Sequence, residues 1–134
     1  MHPEINKIAD HCFEYAKQLL TETGEFYPFG AFVGKQGRVH PLEFDIENNK
    51  IPNNGKVIEA LAKYCNTELE ASNINGFGLA YEVNLKLTED ADYTDAIAVE
   101  ITHISEKNIP VFYLPYSVKK DLSIAFSTAF AVLK

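Results

Sequence analysis

Histidines, cysteines and carboxylates are the side chains of this chain best suited to chemistry, so their spacing comes first. Structural zinc favours Cys and His in tight pairs, two to four residues apart. The histidines are His2, His11, His40 and His103, and the cysteines are Cys12 and Cys65. His11 and Cys12 are adjacent, and on a helix adjacent side chains point about 100° apart, so they do not chelate together easily. No Cys-x-x-Cys, His-Glu-x-x-His or His-x-His is present. The expectation is no metal, no cofactor and no assigned catalytic residue. His40 and Glu43, like Glu100 and His103, are three apart. On a strand that spacing puts the two on opposite sides, so neither pair makes a dyad unless a bulge re-aims one member. Glu82 and Glu100 are expected on the same outer face of neighbouring strands, where paired carboxylates can split their pKa values and do acid–base work. Glu82, Glu100 and His103 therefore form the alternative reading, an enzyme acting on a small polar substrate. Ser117 and Ser123 have no Gly-x-Ser-x-Gly frame, and Gly34-Lys-Gln-Gly37 is too short for a phosphate loop.

Aromatic residues are the more distinctive feature. Phe26, Tyr27, Phe29 and Phe32 fall within seven residues, and Tyr113 and Tyr116 bracket Pro115. Tyrosine presents a flat apolar body with a polar tip, which suits interfaces and ligand walls. Tyr27, Phe29, Tyr113, Tyr116 and Phe130 are the candidate interface or ligand-groove residues. The apolar tail around Phe130 also needs a surface to bury it, and a two-fold pair is the commonest way to provide one.

The elements that must position these side chains follow from periodicity. Ile5, Ile8, Ala9, Cys12, Phe13, Ala16, Leu19 and Leu20 recur at helical spacing, with Pro3 suited to the first turn and Gly24 to a left-handed cap. This predicts a helix over 3–23. Residues 25–33 and 38–44 read as a hairpin about Gly34–Gly37, with 45–53 a polar loop. Val57, Ile58, Leu61, Ala62, Cys65 and Leu69 predict a second helix from Asn53 or Asn54 to about 72. From Gly76 to Leu87 apolar residues alternate with others, and the Phe77, Leu79, Tyr81, Val83 face is expected under the helices. Residues 95–105 and 109–118 read as two more strands, and 122–126 as a short further one. The tail, 127–134, is open between a helical turn and an arm. Cys12 and Cys65 fall on the two apolar stripes and are expected as buried free thiols.

The resulting order is α-β-β-α-β-β-β(-β), a single α+β domain over 1–134. Its expected form is one mostly antiparallel sheet with two helices packed on one face. The length of 134 residues, 46% hydrophobic and 23% charged, suits one globular domain and excludes a disordered or fibrous chain. Twelve basic against nineteen acidic residues leave a net charge of −7, with Arg38 the one arginine. Nucleic acids and anionic membranes are bound through cations, so both are disfavoured as partners. No apolar run is long enough for a membrane span or a secretory signal, so a cytoplasmic location is expected.

Residues 9–49 resemble the N-terminal portion of the cytidine-deaminase family. The likeness is carried by Phe26-Tyr27-Pro28-Phe29-Gly30-Ala31-Phe32-Val33-Gly34 and then Gly37-Arg38-Val39. That family binds zinc through a His/Cys-Ala-Glu and a Pro-Cys-x-x-Cys. Here Lys56-Val57-Ile58-Glu59-Ala60 stands where the first would be, and the second does not occur. Without those ligands no zinc hydroxide forms to attack a base, so the resemblance implies an inactive relative. The Phe-Tyr-Pro-Phe-Gly and Leu-Pro-Tyr segments also resemble those of a family of small bacterial proteins, which implies no function. The reading is a non-enzymatic module that binds a protein or small ligand as a homodimer.

Overall fold

A computed structural model describes residues 1–43 and 53–133. The expected loop over 45–53 lies almost wholly outside them. Helix α1 (Pro3–Thr23) has Pro3 in its first turn, and the His2 ring accepts the Glu4 N–H at 3.1 Å. Gly24, at φ 81°, ends it and donates to the Leu20 carbonyl at 2.9 Å. Helix α2 (Asn54–Glu70) is capped by Asn53, whose side chain accepts the N–H groups of Gly55 and Lys56. These caps satisfy donors that would otherwise lack partners.

The strands are β1 (Phe29–Gly34), β2 (Val39–Glu43), β3 (Ile74–Lys86), β4 (Tyr93–His103), β5 (Val111–Val118), β6 (Ile124–Phe126) and β7 (Phe130–Val132). They form one sheet in the order β2-β1-β3-β4-β5-β6, every pair antiparallel. The tail is neither a helical turn nor a free arm. It becomes β7, which pairs with the first half of β5 while β6 pairs with the second half. Strand β5 is therefore covered along its outer edge, and Pro115, which lacks a donor, accepts the Ser127 N–H on its carbonyl at 2.8 Å. No helix among the described residues is long and apolar enough to cross a membrane.

The α+β class and the element order follow the expectation; the placement of the helices does not. The two helices cover opposite faces. Ile5, Ile8, Cys12, Ala16 and Leu20 of α1 pack with Ala31, Val33, Ala80, Ile97, Val99 and Ile101. Val57, Leu61 and Cys65 of α2 pack with Phe77 and Leu79, and Phe32 and Leu42 flank them. Cross-strand partners share a face, and Phe32 pairs with Phe77 whereas Ala31 pairs with Gly78. Thus Phe77 and Leu79 lie under α2, whereas Gly76, Gly78 and Ala80 lie under α1. Small residues on β3 are what admit α1. A Cβ built on Gly78 would fall 2.5 Å from Ile8 Cγ2, well inside van der Waals contact.

Candidate functional site

The chain leaving α1 delivers Phe26, Tyr27, Pro28 and Phe29 in succession. Phe26, Pro28 and Phe29 are buried, while Tyr27 keeps 40% of its surface exposed. Tyr15, Leu19 and Thr23 of α1, each four residues on from the last, line up beside them. Glu43, at the end of β2, is the cross-strand partner of Phe29 and so stands on the same face. These residues and Glu25 enclose a groove of about 340 Å³, within the usual range for small-ligand pockets.

The ring of Phe29 is the pivot of the groove. Tyr15 meets it at 4.9 Å between centroids and 81°, and Phe26 at 6.0 Å and 65°. Edge-to-face packing of this kind holds three rings as fixed walls. The Tyr15 hydroxyl donates to the Glu43 carboxylate. That bond, then burial, then the nearby charges of Glu43 and Glu22 push the Tyr15 hydroxyl pKa up. The bond also holds Glu43 at the groove. His11 borders an adjoining hollow with Tyr15, Pro41 and Glu43. Its Nε2 is buried and finds no hydrogen-bond partner among the described residues.

A second polar constellation sits at the start of α1. His103, at the end of β4, is buried at 5% exposure, and its Nε2 lies 2.7 Å from Glu4 Oε1. Its Nδ1 accepts the Ser105 N–H at 3.1 Å and lies 2.7 Å from Ser105 Oγ. Those bonds place the neutral ring's proton on Nε2, where it is donated to Glu4. Asn75 donates to Glu4 at 3.4 Å and to the Gly34 carbonyl at 3.4 Å. The hydrogen bond from His103 is the chief cause holding the Glu4 carboxyl pKa below its ordinary value; burial opposes it. His2, Glu4 and His103 bring one donor atom each within 4.8 Å of one another. His103 offers Nε2 to a cation only after that proton leaves and its bonds to Ser105 rearrange, so this network first of all clasps α1 to β3 and β4.

Among the sequence-derived candidates, Tyr27 and Phe29 come together in the groove. Tyr113 and Phe130 pair elsewhere, on the α2 side of the sheet, with ring centroids 5.4 Å apart. Tyr116 is 4% exposed and faces α1, where its ring packs on Phe126. Burial, then the neighbouring Glu82 and Asp95 carboxylates, raise its hydroxyl pKa. Glu82 pairs with Ile97 and Glu100 with Leu79, so the two glutamates face opposite sides of the sheet. Glu100 accepts a hydrogen bond from the Tyr81 hydroxyl. His103 is on the α1 side, six residues along β4 from Ile97. The structure does not assemble Glu82, Glu100 and His103 into one site.

Sequence spacing missed Tyr15, Glu4 and Ser105, and weighed Glu43 only against His40. Tyr15 reads as one more residue on an amphipathic helix, and only the tertiary fold brings Glu43 to it. A small α+β domain with an aromatic groove at one end of its sheet is the class that fold and site define. No protein-family model, curated protein or solved structure gives a significant match to this chain.

Proposed function

We propose that the protein is a ligand-binding module whose site is the groove lined by Tyr15, Tyr27, Phe29 and Glu43. The observation that carries this reading is the groove itself: about 340 Å³, walled by rings fixed at steep angles, with a carboxylate held in place by a tyrosine hydroxyl. Apolar walls with a few placed polar groups are the usual make-up of a small-molecule site. Its Tyr15–Glu43 pair is engaged within itself, the hydroxyl donating to the carboxylate, which suits a fixed wall of a binding site.

A thermal-shift screen of small molecules tests this on the full chain and on a plugged variant, Leu19→Trp. Leu19 lines the groove and is not fully buried, so the larger ring fills the space without opening the core. Ligands that raise the melting temperature of the parent and not of Leu19→Trp support the reading. Ligands that stabilise both proteins equally place binding elsewhere.

A homodimer is a second reading, favoured by the half of the sheet that α2 leaves uncovered. Leu85, Tyr113, Phe130 and Val132 border a hollow there, and Leu87, Val132 and Leu133 are exposed. A self-complementary apolar patch is a frequent basis for a two-fold pair. Light scattering at micromolar concentration distinguishes the states, since a mass near 15.0 kDa is the monomer. Phe130→Asp is expected to convert a dimer to that mass.

A further inference from the structure

We infer that the groove takes a small alkylated ammonium ion, a proposal that rests on the ligand-binding reading and specifies its ligand class. Among the described residues the lining holds two carboxylates, Glu25 and Glu43, and no lysine or arginine. Glu22 adds a third negative charge close enough to act on Tyr15. An anionic ligand would therefore meet like charge, whereas a cation is favoured locally and by the net charge of −7.

The polar groups narrow the choice further. The Tyr15 hydroxyl already donates to Glu43, and the Thr23 hydroxyl is bonded to the carbonyls of Leu19 and Glu25. Apart from the Tyr27 hydroxyl, the described side chains of the groove thus offer acceptors and aromatic rings rather than donors. A primary ammonium carries three N–H groups and a tight hydration shell, and needs several well-placed acceptors to replace its water. An alkylated ammonium has fewer or no N–H groups to satisfy. Its methyl groups carry the positive charge against ring faces, the arrangement in which aromatic walls attract a cation most. Tyr15 and Tyr27 supply the more accessible rings, the buried Phe26 and Phe29 back them, and Glu43 supplies the counter-charge.

Choline chloride is the probe, with its uncharged carbon isostere and sodium chloride at equal ionic strength as controls. Binding is followed by saturation-transfer and chemical-shift NMR on the full chain, Tyr27→Leu and Glu43→Gln. Tyr27 is exposed and Glu43→Gln still accepts from Tyr15, so both variants are expected to fold, which the spectra check directly. The expected result is choline binding with each variant about three- to tenfold weaker, the scale of one cation–π or charge contact. The isostere should bind the parent about tenfold more weakly than choline and should not respond to Glu43→Gln. Equal binding of choline and the isostere would overturn the cation assignment while leaving the groove as a ligand site. An absence of choline binding alongside binding of uncharged ligands would overturn it in the same way. A groove that binds neither choline nor any ligand of the thermal-shift screen refutes both readings.

Discussion

Adding one methyl group at Gly78 is a direct probe of how α1 sits on the sheet. The new Cβ would lie 2.5 Å from Ile8 Cγ2, 3.5 Å from Ile101 Cγ1 and 3.6 Å from Cys12 Sγ. Carbon atoms rest at about 3.5–4.0 Å, so the first contact must open by about 1 Å or more. Ile8 is fully buried and Cys12 and Ile101 close off its neighbourhood, so no side chain can swing into solvent to make room. Gly78→Ala should therefore cost about 1–3 kcal/mol, the usual penalty of overpacking a dense core. In an exposed strand the same change would instead stabilise by roughly 0.4–1 kcal/mol, because alanine restricts the unfolded chain. The two expectations differ in sign. Ile8→Ala alone should cost about 2–5 kcal/mol through lost burial and a cavity. In that background the added methyl enters space that Ile8 has vacated, so the double variant should be more stable than the sum of the single changes predicts, by about 1–3 kcal/mol. Urea unfolding followed by circular dichroism gives all four free energies if the transition is two-state. A neutral or stabilising Gly78→Ala, or costs that add within about 0.5 kcal/mol, would refute the close approach of α1 to β3.

Other expectations follow from the same packing. Leu79→Ala, 7% exposed under α2, should cost about 2–4 kcal/mol in the same urea assay, whereas Val83→Ala, only half-buried beyond the helix, should cost less. Glu4→Gln should cost about 1–3 kcal/mol in urea unfolding, because the buried His103 N–H loses a charged acceptor. Because folding lowers the Glu4 pKa from 4.5, its contribution is complete above that value and lost as pH falls through the lowered folded value. The pH dependence of the parent below 4.5 should accordingly be steeper than that of Glu4→Gln. Burial pushes the Cys12 thiol up to about 12 and the Cys65 thiol up to about 11, so native protein should react slowly with a thiol reagent and release two free thiols on unfolding.

Local pattern and tertiary placement were legible to different degrees. Both helices, the hairpin and the long strands could be read because each carries its own period and caps: Gly24 ends α1, Asn53 starts α2, and Gly37 takes the positive φ of the turn. The faces of β3 were harder. Phe77, Leu79, Tyr81 and Val83 look like the buried side and Gly76, Gly78 and Ala80 like the other side, yet small residues are what let a helix approach most closely. A face read as outward is thus the one beneath α1. Tyr116 shows the same difficulty. Its polar tip suggested a surface, but Phe126 and α1 cover it, and it is as buried as Leu114. The short β7 has too few residues for a period and takes its form from pairing with β5. The candidate sites depend on distant partners. His103 and Glu4 are 99 residues apart and Tyr15 and Glu43 are 28 apart, so no spacing rule joins them. Tyr27 and Phe29 were legible because aromatic clustering alone drew attention to them.

The most direct test of the groove as the functional site is amide chemical-shift mapping with the small molecules that stabilise the protein. Shifts on titration are expected to concentrate at Tyr15, Leu19, Glu25, Phe26, Tyr27, Phe29 and Glu43, and Tyr15→Phe is expected to weaken them by releasing Glu43. Shifts concentrated instead around Leu85, Tyr113, Phe130 and Val132, with the groove silent, would place the functional surface on the other side of the sheet and refute the groove.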